Sequence, residues 1–264
     1  MTRRRGPAEI ELSDRDERIV RSVFVHKLLS SQQIERLFFR TSDQTSAPHV
    51  SALAASRRCR AVLKRLSDLG LLQRVERRVG GHRSGSSGYV YRITTGGLRA
   101  IGIGGRGVRP EPSPQFWRHQ LMTAEISVGL QEAVFGGEIR ELVITHEPEN
   151  WRRFLGKGAA METLKPDLVA GFLTKDGWQV RWFVEVDRDT EHLPVILRKS
   201  EQYQRYWRSG TEDNPIFPRV LWSVPDSKRV VAIETAIQRH RQLHEDLFRV
   251  ATHAESIRTM TGDG

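Results

Sequence analysis

Helical spacing of apolar residues dominates the first seventy positions and gives way afterwards to short alternating runs. A helix is predicted from Ser13, whose hydroxyl caps the amides that follow, with Asp14, Asp16 and Glu17 in the first turn where the helix dipole favours anions; it extends to about Leu29. Ser30 or Ser31 caps a second, short helix whose apolar stripe holds Ile34, Leu37 and Phe38. Residues 41–50, rich in Ser, Asp and Thr, read as a loop. A third helix runs from about Ser51 to Leu69 and stops at Gly70. At about 100° per residue its Arg57, Arg60 and Lys64 share a narrow arc, and Cys59, Val62, Leu66 and Leu69 lie opposite. Two strands follow, 71–75 and 89–93, around a Gly, Ser and Arg stretch, and then Thr94 or Thr95 caps a helix with Leu98 and Ile101. Three helices and a β-hairpin in this order describe a winged helix-turn-helix.

Beyond Gly102 a glycine-rich and then proline-rich segment resists both helix and strand and sets a linker at 104–115, between domains at 1–103 and 116–264. From Phe116 to about Phe135 a helix is apolar on two sides, Trp117, Leu121, Ala124, Val128 and Phe135 on one and Met122, Ile126 and Leu130 on another. Strands are predicted over 139–145, 164–173, 178–187 and 217–224, with Lys175-Asp176-Gly177 turning the second into the third. Pro194 suits the first turn of a helix to about Arg208, and a long final helix is predicted from Ser227 to about Val250. The fold class is α+β in two domains, the second a mixed sheet flanked by helices in the order α-β-β-β-α-β-α.

Charge sharpens this division. The net charge is +10, yet residues 1–110 carry 22 Lys and Arg against 9 Asp and Glu, and residues 111–264 carry 20 against 23. Such an asymmetry is expected where one domain meets a polyanion and the other does something else; the alternative is a solvated basic surface. The third helix enters the major groove in motifs of this kind, and the wing touches the backbone. Arg57, Arg58, Arg60, Lys64 and Arg65 are the groove candidates, and Arg77, Arg78 and Arg83 the wing candidates, for double-stranded DNA. One cysteine, Cys59, rules out an internal disulfide and sits on the apolar side of its helix. With no run of eighteen apolar residues and no signal core after Arg3-Arg4-Arg5, a cytoplasmic location away from membranes is expected.

The second domain holds the candidate chemistry. Lys165-Pro166-Asp167-Leu168-Val169 and Phe183-Val184-Glu185-Val186-Asp187 place carboxylates inside apolar strands, where an ionised group is costly unless cations or hydrogen-bond donors meet it. No His pair has the spacing and acidic neighbours of a zinc site, and the glycines after Ile101 follow a helix and lack Gly-Lys-Ser/Thr, which excludes a phosphate loop.

Pro166-Asp167 and Glu185-Val186-Asp187 resemble the first motif and the (D/E)-x-K of the PD-(D/E)XK nuclease superfamily, with Asp187 standing where that superfamily has lysine. Gln202-Tyr203-Gln204-Arg205-Tyr206 resembles the Gln-x-x-x-Tyr element of its RecB-like members. Over nearly its whole length, winged helix included, the chain is similar to the replication-relaxation family of plasmids, phages and integrative elements. That resemblance implies a restriction-endonuclease-like core and a role in replication or transfer through DNA binding, beside replication or relaxosome proteins. In an active nuclease Asp167 and Glu185, with Asp187 as a third ligand, would hold Mg²⁺, and Gln202 and Tyr206 would lie beside the site. Lys165, Arg188 and Lys199 are the cations that could replace the missing lysine, and Lys199, one turn before Gln202, is the best placed because a helix residue can reach over a strand end. The competing reading is ordinary ion pairing of Asp167 and Glu185 with Arg181, Arg188 or Lys199, leaving a scaffold. Three functions therefore stand open: a DNA-binding accessory protein, a metal-dependent endonuclease or nickase, and a transcriptional regulator.

Overall fold

The computed structural model describes residues 11–40, 51–75, 89–104, 114–188, 191–212 and 216–262. The chain is α+β and divides into two compact units, Met1–Ala124 and Glu125–Gly264. Residues 105–113 of the expected linker at 104–115 lie outside the described residues, and its last two positions already belong to a helix; the wing loop with Arg77, Arg78 and Arg83 lies outside as well.

In the first unit, helix α1 (Asp14–His26) opens on a reciprocal cap: Ser13 accepts from the Asp16 amide and Asp16 accepts from the Ser13 amide. The chain then makes a short strand β1 (Leu29–Ser30), helix α2 (Ser31–Phe38) capped by Ser30, and helix α3 (Ala52–Asp68) capped by Ser51. Strands β2 (Leu72–Val75) and β3 (Val90–Ile93) pair antiparallel, and β1 adds to β3, so the sheet order is β1-β3-β2. Ile19, Val23, Ile34, Leu63, Leu66 and Leu71 bury together at its centre, each worth about 1.5–3 kcal/mol when fully removed from water. Helix α4 (Thr95–Ala100) seats against the hairpin through Gly97, where a Cβ would stand 2.3 Å from the Leu71 carbonyl oxygen. The first part of helix α5 (Pro114–Phe135) also belongs here, since Trp117 packs with Leu28, Val75 and Val90, and the Gln33 side chain donates to the Leu121 carbonyl at 2.9 Å.

The second unit is built on a five-stranded sheet from β4 (Ile139–Thr145), β7 (Leu168–Thr174), β8 (Gln179–Val186), β9 (Arg219–Val224) and β10 (Phe248–Thr252), in the order β10-β9-β8-β7-β4. Strands β8, β9 and β10 run parallel, and β7 is antiparallel to both its neighbours. Helices α6 (Leu193–Ser209) and α7 (Ser227–Arg239) cover one face, burying Ile196, Tyr203, Ile233 and Ile237 against Phe183, Val220 and Trp222. On the other face the Trp182 indole donates to the Met260 carbonyl of helix α8 (Ser256–Gly262), and Gly129 of α5 leaves room for Ile257.

Three sequence expectations are corrected. The first helix stops at His26 rather than about Leu29, because Lys27 turns to a positive φ of 65° and Leu29 of β1 then pairs with Tyr91. The final helix does not reach Val250: it ends at Arg239, His240 is extended, and the chain returns as β10 in parallel register with β9. The physical reason is spacing, because Phe248 and Ala251 bury in a strand that completes the sheet edge, and residues 240–247 offer α7 no continuing apolar stripe. The third correction concerns the strand predicted over 164–173, which divides: Leu164 ends β6 (Met161–Leu164), Leu168 opens β7, and Asp167 lies in the bend between them. Strand β6 pairs with β5 (Arg152–Leu155), which was not expected, in a separate antiparallel hairpin.

Candidate functional site: a basic helix face and an acid, ammonium and phenol cluster

Helix α3 separates its residues as its periodicity demands: Cys59, Val62, Leu63 and Leu66 are buried, and Arg57, Arg58, Arg60, Lys64 and Arg65 are exposed. Not all five cations are equally available. The Arg65 guanidinium grips both Asp16 carboxylate oxygens at 2.6 and 2.7 Å, which ties α3 to the first turn of α1. Burial acts to raise the Asp16 pKa, but its bonds to Arg65 and Ser13 prevail and hold it below the usual carboxylate range. Arg65 is therefore already engaged within the fold, by a contact that clamps α3 to α1. Lys64 makes an exposed pair with Asp68 at 2.6 Å, an i, i+4 contact worth about 0.3–0.5 kcal/mol and readily exchanged for another anion. Arg57, Arg58 and Arg60 make no ion pair among the described residues. Burial pushes the Cys59 thiol up to about 12, so it is an inert core residue.

In the second unit the register between β7 and β8, Leu168 opposite Val184, sets Asp167 beside the end of β8. Its amide donates to the Val184 carbonyl at 3.1 Å, and its Oδ2 accepts from the Val186 amide at 2.8 Å. Glu185, 2% exposed, turns toward α6. There Lys199 and Tyr203, four residues apart on one helix face, reach it together: the Lys199 ammonium lies 2.5 Å from Oε2, and the Tyr203 hydroxyl donates to Oε1. Burial raises the Glu185 carboxyl to about 8, and Asp167 adds to that rise against the pull of Lys199. For Lys199, burial acts to lower the pKa, and the facing Glu185 and Asp167 outweigh it, keeping the ammonium charged. Tyr203 is pushed well above the ordinary phenol value by burial and then by Glu185. The proton held most loosely in this cluster is thus the one on Glu185.

The structure brings Asp167, Glu185 and Lys199 together and leaves the other expected members elsewhere. Asp187 is buried in an ion pair with Arg229, 2.6 Å from Nε, and Arg229 also donates to the Glu191 carbonyl. Gln202 faces the hairpin, donating to the Thr163 carbonyl at 3.3 Å. Tyr206 donates to Glu212 at 2.7 Å, in a group with Arg181 and Arg152. Tyr203 is the member that sequence reasoning missed. Its signal was available, because i, i+4 spacing from Lys199 puts it on the same face, one residue away from the Gln202 that the motif selected.

Whether these residues suit Mg²⁺ is decided by their free oxygens. Magnesium needs about six oxygen ligands at about 2.0–2.1 Å, commonly including carboxylates from the protein. Both Glu185 oxygens already accept from Lys199 and Tyr203, one Asp167 oxygen from a backbone amide, and one Asp187 oxygen from Arg229. Among the described residues, His, Cys, Asp and Glu form no group of three or more placed to hold a metal ion. In this arrangement these oxygens are held by donors of the protein itself.

No helix among the described residues is long and apolar enough to cross a membrane. Compared with known proteins, residues 20–220 match the family model described as replication-relaxation. No curated protein and no solved structure matches the chain.

Proposed function

The chain belongs to the replication-relaxation family, and on that premise we propose that it is a cytoplasmic DNA-binding accessory protein for the replication or transfer of a plasmid or other mobile element. The observation that carries this reading is the outer face of α3, where Arg57, Arg58 and Arg60 stand exposed opposite the buried Cys59, Val62 and Leu66. The order α1, α2, α3 and then the β2–β3 hairpin supports a winged helix, in which α3 enters the major groove of duplex DNA and the loop between β2 and β3 meets the backbone. Lys64 joins this face by exchanging Asp68 for phosphate. The second unit, with its mixed sheet and α6 laid over the end of β8, supports a restriction-endonuclease-like core kept as a scaffold. In that scaffold Asp167 fastens β7 to β8, and Lys199 and Tyr203 hold Glu185 by hydrogen bonds. Replication or relaxosome proteins are the partners this role calls for.

Charge reversal tests the reading on the full chain. Arg57→Glu, Arg60→Glu and Lys64→Glu together should weaken duplex binding at least a hundredfold at low salt. Removing three phosphate contacts should also reduce the slope of log K against log salt by about 2.7. Unchanged affinity in an electrophoretic shift or anisotropy titration would sink the assignment of α3. Incubation with supercoiled plasmid and Mg²⁺ or Mn²⁺ should leave it intact, and nicking abolished by both Asp167→Ala and Glu185→Ala would overturn the scaffold reading.

A further inference from the structure

The β5–β6 hairpin is a two-faced ribbon, and neither face is explained by the acidic cluster. Pairing of Arg152 with Leu164, Arg153 with Thr163 and Leu155 with Met161 fixes which side chains lie together, because alternate residues of a strand point to opposite faces. The inner face holds Phe154 and Leu164, 2% and 0% exposed, within the core beneath α6. Glu162 joins them there, held by the Arg205 guanidinium at 3.1 and 2.8 Å. Gly156 makes this seating possible, since a Cβ there would collide with the Glu162 carboxylate. The ribbon is thus fastened to α6 by apolar burial and an ion pair, which makes it a rigid projection.

The outer face is different in kind. It carries Trp151, Arg153 and Leu155 on one strand and Met161, Thr163 and Lys165 on the other, with Lys157 exposed at the turn. Lys165 lies over the Trp151 ring at 4.1 Å, as the continued register requires. Leu155 and Met161, directly opposite each other, are 61% and 65% exposed. None of these positions is acidic, and three are cationic. Two large apolar groups beside a row of cations, on a ribbon narrow enough for the major groove (about 12 Å wide), have the chemistry of a DNA-contacting surface.

We propose that the outer face of this hairpin is a second duplex-DNA contact, in which Arg153, Lys157 and Lys165 meet phosphates and Leu155 and Met161 rest on base edges or sugars. Charge complementarity selects the occupant: a protein partner would need a matching acidic stripe, whereas every duplex presents one. The proposal rests on the DNA-binding reading above and extends it to the second unit.

The test uses the full chain, a random-sequence duplex and titrations at 50 and 200 mM salt. Arg153→Ala, Lys157→Ala and Lys165→Ala together should reduce the salt slope by about 2.7, so the affinity lost across that interval shrinks about fortyfold relative to the unsubstituted chain. Leu155→Ser with Met161→Ser should weaken binding about tenfold and leave the slope unchanged. These residues are exposed, and circular dichroism should show the fold retained. Unchanged slope and affinity in the triple variant, beside an α3 variant that has lost binding, would overturn the ribbon alone. An unaffected α3 variant beside a weakened ribbon variant would instead sink the α3 assignment and leave the ribbon standing. Loss of self-association in sedimentation, without any change in DNA binding, would show that the apolar pair meets a second copy of the chain and would overturn the proposal.

Discussion

Glu185 shows how much one side chain's surroundings decide. A carboxyl inside an apolar strand was legible from the alternation of residues 183–187, and with it the need for a cation or a donor. The identity of the donors is only half legible in the sequence: Lys199 stands out as a cation one turn before Gln202, whereas no motif marks Tyr203. The consequence is a measurable dependence on pH. A carboxyl raised by burial from its ordinary 4.5 to about 8 keeps its proton in the folded state through a range where the unfolded state has lost it. Its contribution to stability is therefore complete below 4.5 and is lost as pH rises toward 8, at up to about 1.4 kcal/mol per pH unit. The difference in unfolding free energy between the unsubstituted chain and Glu185→Gln should accordingly move in favour of Glu185→Gln from pH 5 to pH 8, as followed by urea denaturation. A difference that stays flat would mean that Lys199 keeps Glu185 ionised throughout.

At the scale of elements, capping and periodicity predicted most of what folds. The starts of α1, α2, α3 and α4 carry Ser13, Ser30, Ser51 and Thr94 as caps, each visible in the sequence as a hydroxyl before an apolar stripe. The β5–β6 hairpin was not foreseen, although Phe154 and Leu164 flank a glycine-rich turn, because strands of four residues give too little alternation to stand out. Close approaches between elements were equally invisible. Gly97 reads as one more glycine, yet it abuts a backbone carbonyl, whereas a Cβ at Gly129 would meet the Ile257 side chain at 2.6 Å. Gly97→Ala is expected to cost more than 2 kcal/mol, since a carbonyl in a hairpin cannot step aside. Gly129→Ala should cost less, because the partly exposed Ile257 on the short terminal helix α8 can shift outward. Comparing the two urea midpoints checks this order, and equal losses would refute it.

The whole molecule consists of two compact units that divide inside α5, between Ala124 and Glu125. Each has its own buried centre, Ile19, Ile34 and Leu63 in the first and Phe183, Tyr203 and Trp222 in the second. Heating should therefore not give a single two-state transition: the calorimetric enthalpy should exceed the van't Hoff value. Gly97→Ala should lower one component and leave the other in place, and a single transition shifted as a whole would show that α5 couples the units fully. The sequence by itself determined the two-part character of the chain, the basic first part, the face of α3 and the strand that carries Glu185, because charge and short-range periodicity are local properties. Tertiary structure alone decided that Arg65 clamps α3 to Asp16, that Asp187 belongs to Arg229, that Tyr203 rather than Tyr206 meets Glu185, and that β5 and β6 form a hairpin with one exposed face that carries no acidic side chain. Each of these depends on which distant residue lies within a few ångströms, and the choice among several cations or phenols of the same chemistry is made only when strands take their register and α6 lies down across them.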